Sequence, residues 1–303
     1  MISYKGLDAK LNERGITRSD LTKELGISSR TIAKIGRGEK LSRVVIEKLC
    51  GYFSCTTAEL CREVSNNPIL QTLREEKAAK ISGGLYHELQ VRMTYNSNHI
   101  EGSRLTEDQT RLIFETNTLD AGDGVPVDDI LETVHHFRAI DYVIDCADDV
   151  LTEEIIKKLH LILKRDTKDS TLDWFAVGDY KKRPNVVGGR ETTKPKDVPA
   201  RMKALLANYN AKRVVTIEDI IAFHAAFEQI HPFQDGNGRV GRLIALKECL
   251  RFSIVPFLIE DSKKAFYYRG LSEWDNEKGW LTDTCLDGQD TFKRLLAMFS
   301  VEN

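Results

Sequence analysis

The stretch HPFQDGNGRVGR, residues 231–242, places one histidine, one aspartate, three glycines and two arginines in twelve positions, directly after the apolar run IEDIIAFHAAFEQI. Ile217, Ile220, Ile221, His224, Phe227 and Ile230 recur at spacings of three and four, which predicts a buried or half-buried helix. Pro232 and the glycines end that helix at once. His231 then stands at its C-terminal edge facing a loop, where an imidazole with an ordinary pKa of about 6.5 serves as acid or base. The segment DGNG offers consecutive backbone N–H groups as an anion nest, and RVGRLIALKECL opens a second helix whose N-terminus adds a positive dipole. Asp235 is a hard oxygen ligand suited to Mg²⁺ bridged to phosphates. Arg239 and Arg242, three apart, share one helix face and can grip phosphate oxygens. The spacing is neither a Walker A loop nor a dinucleotide-binding glycine fingerprint. A base, a metal carboxylate, an anion nest and two arginines in one loop describe a nucleotidyl or phosphoryl transfer site, whereas a plain corner between core helices needs neither the histidine nor both arginines.

Around this loop the composition is that of an ordinary soluble protein: 303 residues, 41% hydrophobic and 30% charged, long enough for about two domains. No apolar run approaches the roughly 18 to 20 residues of a membrane span, and the N-terminus MISYKGLDAK has no signal-peptide h-region. The six cysteines form no CxxC pair and no zinc spacing, so reduced thiols and a cytoplasmic location are expected. Residues 1–65 carry 12 Lys/Arg against 8 Asp/Glu, a net +4, which leaves −6 for the remainder. Such asymmetry suggests a nucleic-acid module joined to something else.

Periodicity predicts an all-α chain. Helices are expected over Leu7–Arg14 and from Arg18, Ser28 and Ser42, with Ser19, Ser28 and Ser42 as N-caps and Gly15, Gly26 and Gly36 as stops. SNNPIL reads as a linker, separating a domain at 1–65 from one at 66–303. Further helices are expected over 85–101, 106–117, 127–146, 152–165, 198–210, 216–230, 238–251, 262–275 and 287–300. Residues 176–197, rich in Pro and Gly with paired valines, predict a surface β-hairpin.

A helix ending at Gly26 and a second opening with Ser28, Ser29 and Arg30 is a helix-turn-helix layout, with Lys34 able to neutralise phosphate charge. Residues 3–64 resemble the Cro/C1-type helix-turn-helix family, which implies five short helices and binding to double-stranded DNA. A small bundle used for protein contact is the alternative.

The loop itself resembles the Fic signature HPFx[DE]GNGRxxR at every position. That resemblance implies an all-α domain and transfer of AMP from ATP to a Ser, Thr or Tyr hydroxyl of a target protein or of the chain itself. By position, His231 is the base and Phe233 packs beneath the loop. Asp235 holds Mg²⁺, Gly236, Asn237 and Gly238 form the anion hole, and Arg239 and Arg242 engage phosphates. Doc toxins, which phosphorylate, carry lysine where this chain has Gly238, so AMP transfer is favoured. Tyr267 and Tyr268 resemble a tyrosine pair near the adenine pocket, although Asp275 stands where some relatives have asparagine. Residues 180–189 match the Fic flap, in which Lys182, Asn185, Val186 and Val187 would dock the target by strand pairing. His224 reads as a packed core histidine, and no role is assigned to His135 and His136, which point apart on their helix.

Upstream, YNSNHIEGSRL sets Ser97 and Glu101 four apart, with Gly102 as a helix stop. Beside a Fic motif this resembles the family's inhibitory sequence [ST]xxxE[GN] on a helix at 84–102. The resemblance implies that Glu101 pairs with Arg242 and displaces the γ-phosphate, within one chain or across a homodimer. In some relatives the same glutamate also promotes removal of AMP, so a bifunctional enzyme is a further reading. Two other readings are carried: a transcription regulator whose Fic domain senses ATP or is controlled by self-modification, and a toxin-like enzyme whose helix-turn-helix represses its own operon.

Overall fold

In the computed structural model, which describes residues 2–63, 67–120 and 124–302, the chain divides into two compact units between positions 66 and 67. The first consists of β1 (Ile2–Ser3), α1 (Lys5–Glu13), α2 (Asp20–Leu25), α3 (Ser29–Gly36), α4 (Arg43–Phe53), α5 (Thr57–Leu60) and β2 (Arg62–Glu63). Its core joins Leu7, Leu21, Ile35, Leu49, Phe53 and Leu60. Gly6 lets α1 approach α5, because a Cβ there would stand 1.9 Å from the Glu59 carbonyl oxygen. The two strands pair antiparallel, with Ile2 opposite Glu63.

The expected caps are met unevenly. Ser28 caps α3 by accepting from the Thr31 amide at 3.2 Å. Ser19 and Ser42 occupy N-cap positions but make no side-chain cap bond. At α2 the first turn is instead bridged by Asp20, whose Oδ2 accepts from both the amide and the hydroxyl of Thr17. Gly15 and Gly26 take left-handed conformations as expected. After α3 the left-handed residue is Gly38, not Gly36, which is still helical.

The second unit begins where a linker was expected. Asn67 is the N-cap of α6 (Pro68–Ala79), its Oδ1 accepting from the Ile69 and Leu70 amides while its Nδ2 donates to the Leu250 carbonyl. Asparagine at N-cap followed by proline at N1 is a helix start, because the missing proline N–H would have no intrahelical partner anyway. The part of the linker reading that falls on 65 and 66 lies outside the described residues.

There follow α7 (Leu85–Ile100), α8 (Glu107–Thr116), α9 (Val127–Cys146), α10 (Glu153–Lys164), β3 (Val186–Val187), β4 (Arg190–Glu191), α11 (Val198–Asn210), α12 (Ile217–Ile230), α13 (Asn237–Arg251), α14 (Lys264–Ser272) and α15 (Gly279–Met298). The last helix starts eight positions before the expected 287. Helix α13 is the axis of this unit. It packs on α12, α9, α10 and α7, and nearly every residue along it is buried, including Arg239 and Arg242. Its N-terminus is therefore a pole of backbone N–H groups set among surrounding helices. No described helix is long and apolar enough to cross a membrane.

Candidate active site

Helix α12 stops at His231, whose own backbone is left-handed (φ 52°, ψ 62°) and whose amide closes the helix on the Phe227 carbonyl at 2.9 Å. The turn that follows is closed by Asn237. Its Oδ1 accepts from the Phe233 amide at 2.8 Å, and its Nδ2 donates to the Phe233 carbonyl at 3.0 Å. Phe233 is fully buried and stacks on His160 with ring centroids 4.0 Å apart and planes within 2°. Gly236, at φ 79°, is the N-cap of α13. The loop is thus rigid, and it delivers His231, Asp235 and the first turn of α13 to one place.

Two buried cations hold Asp235. Its Oδ2 accepts from Lys164 Nζ at 2.6 Å and from Arg239 at 3.3 Å, and both cations also bond Glu132. Burial works against ionisation of Asp235, but Arg239 and Lys164 outweigh it and hold the carboxyl far below its ordinary value. Glu132 is likewise lowered against the effect of its burial by the same two cations. The His231 imidazole is pushed down to about 4, first by burial and then by the charge of Lys181, with the Glu228 carbonyl acting in the opposite sense.

Arg242 is engaged on every side. Its Nε donates to Ser97 Oγ at 3.0 Å, and its second terminal nitrogen donates to the Ser97 carbonyl at 2.9 Å and to Glu101 Oε1 at 2.7 Å. The remaining nitrogen reaches the Tyr267 hydroxyl at 3.3 Å. Glu101 is the C-cap of α7, and Gly102 follows at φ 101°. A Cβ on Gly238 would stand 2.2 Å from Glu101 Oε1 and 3.0 Å from the Arg242 guanidinium. The carboxylate therefore lies over the first turn of α13, where a helix N-terminus attracts an anion.

The other expected residues separate. Tyr267 is fully buried beneath Arg242 and bonded to His224 at 2.7 Å, while Tyr268 is 41% exposed and donates to the Ile100 carbonyl. Asp275 accepts from Gln229. His224 is buried as expected. His135 and His136 are both buried and do point apart, toward the Leu163 carbonyl and the Thr94 hydroxyl. On the hairpin Val186 pairs with Glu191, and Val186 and Val187 are 61% and 48% exposed. Lys182 is exposed, and Asn185 donates to the Phe233 and Gln234 carbonyls. In the first unit Ser28, Ser29 and Arg30 are exposed at the start of α3, and Lys34 is half-buried.

Sequence reasoning missed Lys164, Glu132 and His160, and the buried, loop-facing position of Lys181, all brought to the loop from distant positions. It also missed Glu228, whose carboxyl lies 2.5 Å from where a Gly241 Cβ would stand. Its Oε1 has no hydrogen-bond partner among the described residues. Burial pushes this carboxyl up to about 8, against the pull of Arg242.

Residues 150–249 match the Fic/DOC family, and residues 6–64 match the Cro/C1-type HTH DNA-binding domain. The chain carries a Fic domain. The curated relatives include the protein adenylyltransferase Fic of Drosophila erecta, 31% identical over 180 residues, and that of Aedes aegypti, 26% identical over 188 residues. These alignments cover 58% and 60% of this chain but only 35% and 36% of the relatives, so the chain spans about a third of their length. A Fic domain-containing signaling protein from Bacteroides thetaiotaomicron is 26% identical, with a TM-score of 0.62, over 76% of this chain and 92% of that one. A Fic family protein from Desulfovibrio desulfuricans, 20% identical with a TM-score of 0.59 over 80% of this chain and 78% of that one, shares the fold. Lys164, Arg239 and Arg242 thus surround the motif loop of a Fic domain, and Glu101 reaches it from outside residues 150–249.

Proposed function

We propose that this chain is a protein adenylyltransferase that moves AMP from ATP to a Ser, Thr or Tyr hydroxyl of a target protein or of itself, and that Glu101 holds it off. The observation that carries the reading is the position of the Glu101 carboxylate, bonded to Arg242 and lying over Gly238. An anion already occupies the place that the motif offers to phosphate.

In the reaction His231 accepts the hydroxyl proton. Its Nδ1 is buried, which leaves Nε2 for the substrate, and its lowered pKa keeps it neutral at physiological pH. The hydroxyl oxygen bonds to the α-phosphorus as pyrophosphate departs with the bonding pair. Charge then grows on the phosphate oxygens, where the amides of Gly236, Asn237 and Gly238 and the guanidinium of Arg239 stabilise it. Arg242 takes the γ-phosphate once Glu101 has left. Phe233 holds the loop from below, and Tyr267 supports Arg242.

Mg²⁺ fits the donors present. The Asp235 side chain is half-exposed, with Oδ2 bonded to Lys164 and Arg239, and such an ion uses one or two carboxylates together with substrate phosphates. When bound, it would offset charge on the phosphates, with Asp235 as its protein ligand.

The flap role falls to the exposed edge Val186–Val187, with Lys182 and Asn185 beside it, and Tyr268 borders the nucleotide side. Through Ser28, Ser29, Arg30 and Lys34 the first unit would bind double-stranded DNA. The test is incubation with α-labelled ATP and Mg²⁺: the chain should incorporate label that His231→Ala loses, and equal incorporation by His231→Ala refutes the reading.

A further inference from the structure

The hairpin that borders the loop has strands of only two residues each, joined by Gly188 and Gly189, both at positive φ. Such a ribbon is marginal by itself in water, so its position is set by what anchors it: Arg190 of β4, which donates to the Ser272 carbonyl, and the contacts at its base. Both base residues, Asn185 and Thr192, bond to one group. Lys181 Nζ donates to Asn185 Oδ1 at 2.7 Å and to Thr192 Oγ1 at 2.6 Å. Thr192 in turn bonds to Asn185 through its hydroxyl and its amide.

Lys181 is only 3% exposed, and no ion pair joins it to a described carboxylate. A buried ammonium without a counter-charge depends on its hydrogen-bond acceptors. Here both side-chain acceptors belong to the hairpin base. The burial of Lys181 and the seating of the hairpin are therefore one state.

Two of these three residues also reach the motif loop. The Lys181 amide donates to the Pro232 carbonyl at 2.9 Å, one residue after His231. Asn185 Nδ2 donates to the Phe233 and Gln234 carbonyls at 3.3 and 3.4 Å. We infer that Lys181, Asn185 and Thr192 form a latch that seats the hairpin on the motif loop, with Lys181 as a positioning residue for both the docking edge and His231. The groups acting on the His231 ring are Lys181 from the hairpin side, Asp235 from the loop, Glu101 from α7 and the Glu228 carbonyl from α12. Of these charges only that of Lys181 depends on the hairpin.

The consequence for catalysis rests on the adenylyltransferase reading, but the test does not. Amide hydrogen exchange of residues 186–191 and NMR titration of the His231 imidazole are measured in the full chain and in Lys181→Met, Thr192→Val and Thr192→Ser. In Lys181→Met and Thr192→Val, which lose two and one of the ammonium's charge-assisted bonds, the hairpin amides should exchange at least about tenfold faster, while α13 keeps its protection. Thr192→Ser retains the hydroxyl and should behave as the parent. The His231 midpoint should rise in Lys181→Met. Unchanged hairpin exchange in both disrupting variants overturns the latch, and so does acceleration that extends equally through α13. If no variant transfers AMP, the functional reading fails while the exchange result still decides the latch.

Discussion

The Glu101 carboxylate, at the end of α7, accepts a 2.7 Å hydrogen bond from Arg242 on α13, and the same oxygen lies over Gly238 in the first turn of that helix. One side chain thereby meets the arginine and the anion-binding helix end together. Ser97, one turn earlier on α7, takes two further bonds from the same guanidinium, so one buried arginine bonds to two residues of the α7 C-terminal turns.

The pH profile of AMP transfer should report His231. An imidazole of ordinary pKa loses its basic form below about pH 6.5, whereas one lowered to about 4 stays neutral well below that. The rate should be flat between about pH 8 and 5.5 and fall only under more acidic conditions. A midpoint near 6.5 contradicts the burial argument.

Glu228 predicts a pH-dependent stability of opposite sign. Its folded value, about 8, lies above the unfolded carboxyl value of about 4.3. Stability from this group is complete below the unfolded value and is lost as pH rises through the folded value. Glu228→Gln keeps the shape and removes the titration. Its Tm should exceed the parent's by more at pH 8 than at pH 5, and an equal difference at both refutes the assignment.

Lys164 is buried between Glu132 and Asp235. Lys164→Met leaves two carboxylates facing Arg239 alone, and breaking a buried ion network by removing one member costs about 3 to 5 kcal/mol. Urea denaturation should show a loss of that size, and a change within about 0.5 kcal/mol would mean that the network is solvated.

The loop was legible in sequence because its pattern is local: one turn contains the histidine, the carboxylate and the helix end. Glu101 was legible through its own short pattern. Lys164 and Lys181 were not. The first closes an amphipathic helix where a lysine reads as a solvated last turn, and the second heads the run KKR, of which it alone is buried. Their roles arise from long-range packing, with Lys164 meeting Asp235 across 71 positions. Helix α6 was hidden because Asn-Asn-Pro suits a linker and a capped helix start equally, and contact with Leu250 decides between them. Helix α15 was shortened because Gly279 and the polar residues after it weaken the apolar period, although Leu281 and Cys285 are fully buried.

For the first unit, the proposed phosphate contacts imply salt dependence. Arg30→Ala should weaken duplex binding and lower the slope of log affinity against log salt by about one, as expected when one phosphate contact is lost. Fluorescence anisotropy at several salt concentrations measures this, and an unchanged slope removes Arg30 from the interface.

The proposed competition of Glu101 and ATP for Arg242 is read out by self-labelling with α-labelled ATP and Mg²⁺. A charge-assisted bond worth about 1.5 to 3 kcal/mol corresponds to roughly tenfold or more in rate. Glu101→Gly should therefore incorporate AMP at least about tenfold faster than the parent, and adding His231→Ala should abolish that gain. Equal rates for the parent and Glu101→Gly would contradict the account.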